Sequence, residues 1–217
     1  MSRYRGNLYR IAHPKIYIFS HTQKAEIEYF QDFKQHLSSD QIIPNKIVLR
    51  SPQQLINKVI DWKKRKDISA EDGDQVWCVF DVDDFYKNDR TGLLRAVDCA
   101  NRNEIKIAYV NDCFELWILL HFKQVTSPIG GRGKYVNEID KFYTVNGLGN
   151  FSNKNQRCFD NILAYQGDCI KNAKTIASFG SYNEIIWSDV LSDRRNPSTS
   201  IHLLVEEILK IHPKHPS

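Results

Sequence analysis

Three carboxylates fall within four residues, Asp81, Asp83 and Asp84, in the segment VFDVDDF. Carboxylates this close repel one another, and a hard divalent cation with oxygen ligands is the simplest compensation. Mg²⁺ takes one or two carboxylates and keeps water or phosphate oxygens in its other positions, and Mn²⁺ substitutes for it in octahedral oxygen sites. If the chain stays extended past Phe80, the side chains of Asp81 and Asp83 project to the same side. A phosphate-bearing substrate would then fit. The alternative is a solvated acidic turn capping a helix, where Asp is ordinary.

Other side chains could join this cluster. Glu26 lies about six residues beyond an apolar run and can face the same edge of a sheet; equally, it suits a helix N-terminus, where the macrodipole favours carboxylates. His21 and Lys24, in the intervening loop, could shuttle a proton or neutralise phosphate, although such residues are more often simply at the surface. Glu115 is less ordinary. It sits in CFELWILLHF, where an ionised carboxylate is costly unless a cation, a donor or a helix N-terminus compensates it. His121 follows six residues later, off the helical face of Glu115, and reads as structural. The loop SPIGGRGK lacks the spacing of a nucleotide-binding phosphate loop. No G-x-S-x-G, H-E-x-x-H or Cys/His zinc pattern is present.

The elements that must position these residues alternate. KIYIFS from Lys15 reads as a buried strand, followed by a helix with Tyr29, Phe30, Phe33 and Leu37 on one stripe up to about Ser39. KIVLR, residues 46–50, reads as the next strand. Ser51-Pro52 then caps a helix striped with Leu55, Ile56, Val59 and Ile60. QVWCVF, residues 75–80, leads directly into the acidic cluster and a third helix bearing Leu94, Val97 and Ala100. IKIAYV, residues 105–110, is the fourth strand. Strands alternating with helices predict an α/β fold: a parallel sheet of about four strands flanked by helices, with ligands bound beyond the carboxyl ends of the strands. Beyond Val110 the pattern turns mainly helical, with CFELWILLHF, a long segment over residues 155–177 and a last helix opened by Asn196-Pro197. The glycine-rich stretch 124–155 is the expected mobile region. The expected organisation is a core over residues 1–123, with residues 124–217 packed on it as one unit.

Composition sets the limits. The 217 residues, with 11 Phe, 10 Tyr and 4 Trp, suffice for a substantial core. A formal charge of +4 permits a polyanionic partner without the excess of a histone-like protein. The five cysteines, Cys78, Cys99, Cys113, Cys158 and Cys169, are odd in number and widely spaced, which suits reduced core thiols. No apolar run reaches the length of a signal peptide or a membrane span, so a cytoplasmic protein is expected. Basic groups at residues 63–66 and at Arg194 and Arg195 read as solvated faces.

Three segments together resemble the RloB-like family, a group related to the Toprim domains of topoisomerases, primases and OLD-type nucleases. KIYIFSHTQKAEIEYF resembles the family's I-x-x-E-G-x-x-T-E-x-x-Y-F. VWCVFDVDDF with VNDCFELWILLHF is similar to V-W-x-V-F-D-x-D followed by S-N-P-C-F-E-x-W-x-L-x-H-F. NPSTSIHLLVEEI resembles N-P-S-T-x-V-x-x-L. The order is preserved over nearly the whole chain. The resemblance implies a Toprim-like, Rossmann-like core. In it Asp81 and Asp83 form the metal-binding D-x-D with Asp84 nearby, and Glu26 is the second glutamate of the first motif. Lys24, Asn111 and Glu115 become substrate-binding candidates. One departure stands out: the first family glutamate aligns with His21 and the following glycine with Thr22. An imidazole exchanges protons near neutral pH but cannot replace a carboxylate on Mg²⁺.

The function implied is Mg²⁺-dependent cleavage of DNA or of RNA such as tRNA, in an antiphage or abortive-infection system with an ABC-type or AAA-type ATPase encoded alongside. The alternative, favoured by His21, is a degenerate subunit that binds the ATPase or nucleic acid without cutting. A phosphatase of the haloacid-dehalogenase kind fits less well, because Phe85 stands where Thr or Val is required and the motif lies on the third strand. A homo-oligomer is left open.

Overall fold

IYIFS forms β1 (Ile16–Ser20), buried at every residue, as a strand covered on both faces must be. The computed structural model describes residues 13–20, 25–47, 49, 51–111, 113–151, 159, 161–190 and 196–211, without the side chains of residues 83–88. α1 (Ala25–His36) follows and buries Tyr29, Phe30 and Phe33 on the expected stripe. The second strand departs from expectation: β2 is Ile42–Lys46, IIPNK, beginning four residues before the expected 46–50, of which Val48 and Arg50 lie outside the described residues. Ile42, fully buried opposite Ile16 of β1, anchors it.

α2 (Pro52–Lys66) begins as the sequence predicts. The Ser51 hydroxyl accepts from the Gln54 N–H at 3.3 Å with Pro52 as the first helical residue. The last turn holds Lys63, Lys64, Arg65 and Lys66, where the helix dipole favours cations, and Lys63 pairs with Glu104 at 2.9 Å. β3 (Gln75–Asp81) and β4 (Ile105–Asn111) are joined by α3 (Asp83–Arg102). α3 breaks helical geometry at Asp89 (φ −156°, ψ 74°). Its carboxylate accepts the Gly92 N–H at 2.7 Å, which restarts the helix as an N-cap would.

The C-terminal part is mainly helical, with three corrections. Residues 124–155 are not simply a mobile stretch, because α5 (Arg132–Val145) occupies their middle and buries Tyr135, Ile139 and Tyr143 at four-residue intervals. It packs against α4 (Phe114–Leu120), all of whose residues are buried. The segment expected as one long helix over residues 155–177 yields the shorter α6 (Gln166–Ile176), followed by α7 (Trp187–Val190). Asn196-Pro197 opens no helix. It leads instead into β5 (Ser198–Thr199), and α8 (Ile201–Ile211) begins only afterwards.

The sheet order is β2-β1-β3-β4-β5, parallel except for the β4–β5 pair. Pro44, which has no N–H to donate, is thus confined to an edge strand. At the other edge the NPSTS segment does structural work. The Thr199 hydroxyl donates to the Tyr109 carbonyl at 2.8 Å, and Ser200 Oγ accepts from the Tyr109 N–H at 2.9 Å. These bonds close an edge that would otherwise expose unpaired backbone groups. One hydrophobic core includes Ile16 of β1 and Ile208 of α8. Within it Tyr29 joins α1 to α4 and α6. Its ring meets Phe114, Trp117 and His121, and its hydroxyl donates to Gln166 Oε1 at 2.5 Å.

Candidate functional site

Because β1, β3 and β4 are parallel, Ser20, Asp81 and Asn111 finish at one edge of the sheet. Asp81 lies opposite Val110, and the Val82 N–H donates to the Val110 carbonyl at 2.9 Å, continuing the pairing one residue further. Asp81 is half-buried and Asn111 is buried. At Val82 the backbone becomes helical (φ −83°, ψ −37°), and Asp83 opens α3. The extended geometry assumed for same-side projection of Asp81 and Asp83 therefore ends at Asp81. Asp83 and Asp84 occupy the first turn of α3, an electrostatically favourable place for carboxylates; their side chains lie outside the described residues.

Glu26, the second residue of α1, is 2% exposed, whereas Glu28 is half-buried. Glu26 thus stands in the first turn of α1, where the dipole favours a carboxylate, and is at the same time buried. His21 and Lys24 lie outside the described residues.

Glu115 is the second residue of α4, which starts just beyond β4 with Cys113 as its N-cap. Its compensating groups are both visible: the helix N-terminus, and Arg132, whose Nε and Nη2 each lie 2.7 Å from Oε1. Arg132 is the first residue of α5, delivered by Gly130 (φ +86°) and Gly131 (φ +80°). Two successive positive-φ residues make a turn that side chains with a Cβ disfavour. Partial burial opposes the guanidinium charge, but attraction to Glu115 and, more weakly, to Asp81 prevails and raises its pKa. Arg132 thus pairs directly with the carboxylate of α4, on the same edge of the sheet at which β3 ends. Sequence reasoning missed it, although a carboxylate embedded in an apolar helix signals that a cation must be supplied from elsewhere.

The donors at this edge fit a hard cation. Asp81, Glu26 and Asn111 offer carboxylate and amide oxygens, and one or two carboxylates with water suffice for Mg²⁺. Among the described residues no three His, Cys, Asp or Glu are grouped to hold a metal alone.

His121 is buried, its Nδ1 donating to the Trp117 carbonyl at 3.1 Å, and burial lowers its pKa to about 4. It stays neutral and structural. Cys78, Cys99, Cys113 and Cys169 form no disulfide with one another, and Cys158 lies outside the described residues. A cavity of about 580 Å³ opens at the opposite edge, between Gln75, Lys106, Tyr182 and Trp187. Its polar groups bond one another: Lys106 donates to Gln75 Oε1 at 3.1 Å, and the Tyr182 hydroxyl to Asn101 Oδ1 at 3.1 Å. Asp81, Glu26 and Glu115 do not line it, and the edge at which Asp81 ends is the better candidate site on chemistry.

The sequence model of RloB-like proteins matches residues 16–208, a span containing Glu26, Asp81, Asn111, Glu115 and Arg132. The chain belongs to the RloB-like protein family. No curated protein and no solved structure matches it. In this RloB-like chain, the third family segment forms β5 and opens α8, and its Thr199 and Ser200 hydroxyls bond the backbone of β4. Among the described residues no helix is long and apolar enough to cross a membrane.

Proposed function

We propose that this RloB-like chain is a metal-dependent nuclease of Toprim-like type, hydrolysing phosphodiester bonds in DNA or in RNA such as tRNA. The observation that carries the proposal is the placement of Asp81 at the carboxyl edge of the sheet, between buried Glu26 and the Glu115–Arg132 pair. In this reading Asp81 holds Mg²⁺ or Mn²⁺ with Asp83 and Asp84 from the first turn of α3. The bound ion would polarise the scissile phosphate and lower the pKa of a coordinated water. Glu26, buried in the first turn of α1, would orient the attacking water or accept its proton, with His21 available to exchange it near neutral pH. Asn111 and Lys24 contact phosphate oxygens.

The antiphage role and the ATPase partner, of ABC or AAA type, belong to the same proposal and rest on family resemblance. The second reading, a subunit that binds the ATPase or nucleic acid without cleavage, is favoured by one observation: His21 stands where the family glutamate aligns. A cleavage screen separates the two. Labelled tRNA and duplex DNA are incubated with Mn²⁺ and either the native chain or Asp81→Asn, with and without the co-expressed ATPase. Cleavage by the native chain alone supports the nuclease; no cleavage of either substrate, even with the ATPase, supports the binding subunit.

A further inference from the structure

Arg132 and Glu115 make an asymmetric pair. The Glu115 side chain is 5% exposed, that of Arg132 70%. Burial of the carboxylate fixes where the guanidinium stands, while the guanidinium itself faces solvent. Nε and one Nη2 hydrogen are used on Oε1. A guanidinium has five N–H donors, so three are left for other acceptors. Asp81 is close enough for its charge to act on Arg132, and Asp81 ends the strand paired with β4, from which α4 and Glu115 follow.

This arrangement addresses an electrostatic problem of the edge. Glu26, Asp81 and Glu115 alone would repel a phosphodiester, and a metal held by Asp81 offsets only part of that charge. A cation on the same edge of the sheet, already oriented by Glu115 and still open to solvent, supplies the remainder without reorganisation when substrate arrives. Arginine suits the task because its planar fork matches two phosphate oxygens at once. Gly131 provides no side-chain cap for α5, so the backbone N–H groups of its first turn add to the same positive potential.

We propose that Arg132 binds the backbone phosphate of the nucleic-acid substrate, and that Glu115 is the positioning residue that holds it. The inference rests on the nuclease reading and deepens it by assigning the phosphate contact to a residue outside the metal-binding set.

The test is fluorescence anisotropy of labelled tRNA and of duplex DNA with the full chain, over a series of salt concentrations without divalent ions. Mn²⁺ titrations of the same proteins run beside it. Arg132→Ala is expected to bind about tenfold more weakly and to lower the slope of log K against log salt by about one, as loss of a single phosphate contact does. Its Mn²⁺ binding stays native. Arg132→Lys keeps the slope and recovers part of the affinity, because the charge remains without the fork. Should Arg132→Ala fold poorly, Arg132→Ala/Glu115→Gln strands no buried charge and replaces it. A native affinity and slope in the alanine variants, or no binding of either nucleic acid by the native chain, would overturn the assignment. Retention of Mn²⁺ binding by Asp81→Asn would instead strike the nuclease reading, so the two failures are distinguishable.

Discussion

Removing Arg132 should destabilise the fold more than neutralising Glu115, even though Arg132 is the exposed partner. In Arg132→Ala the 5%-exposed Glu115 side chain loses two charge-assisted hydrogen bonds at 2.7 Å. A hydrogen bond to a charged group contributes about 1.5–3 kcal/mol net, and stranding the buried acceptor takes the upper part of that range. The exposure of Arg132 allows water to replace some of what is lost, which brings the expected destabilisation to about 2 kcal/mol. In Glu115→Gln the amide oxygen still accepts, and the arginine is left to solvent, so about 1 kcal/mol or less is expected. The double variant should therefore be less destabilised than the sum of the singles, with a coupling of about 1 kcal/mol. Urea unfolding followed by circular dichroism measures all four proteins. For a chain of this size 2 kcal/mol corresponds to a Tm shift of about 4–8 °C. Glu115→Gln as damaging as Arg132→Ala, or strict additivity, would refute the idea that the arginine compensates a buried carboxylate.

Three further outcomes follow from the packing. Tyr29→Phe removes the hydroxyl that bonds Gln166 Oε1 at 2.5 Å inside the core; equilibrium unfolding should register a loss of about 1–3 kcal/mol, the cost of an unsatisfied buried acceptor, and a neutral substitution would contradict it. Gly92→Ala should fail to give the usual gain of about 1 kcal/mol for Gly→Ala in a helix: the new Cβ would stand 2.0 Å from Asp89 Oδ2 and evict the carboxylate that caps the restarted α3, so a raised Tm would be the wrong result. Burial lowers the pKa of both His121 and His202 to about 4. The folded chain then binds fewer protons than the unfolded chain between pH 6.5 and about 4, so stability should fall with pH through that window by up to about 3 kcal/mol per histidine and level off below it. His121→Gln should remove one of the two contributions in a pH series of urea midpoints, and an unchanged pH profile would contradict the assignment.

Much of the fold was legible because parallel strands buried on both faces are continuous apolar runs. QVWCVF and IKIAYV therefore announced β3 and β4. β2 was misplaced because Pro44 interrupts IIPNK, whereas KIVLR is the better apolar run; the edge position that tolerates a proline is a property of the assembled sheet. β5 has two residues, Ser198 and Thr199, with no periodicity to detect. α5 was hidden by flanking glycines, although Tyr135, Ile139 and Tyr143 carry its stripe. At the site, Asp81 was legible from the strand running into it, and the need of Glu115 for compensation from its apolar setting. Arg132 was not, since a partner 17 residues away is chosen by tertiary packing. The geometry expected of Asp81 and Asp83 failed for a local reason: the chain turns helical at Val82.

The central claim is that the carboxyl edge around Asp81 is a divalent-metal site. A calorimetric titration of Mn²⁺ into the native chain and into Asp81→Asn, with circular dichroism to show that both are folded, addresses it most directly. Saturable binding by the native chain that Asp81→Asn loses is the predicted result. Equal binding by both proteins, or none by the native chain, would contradict it.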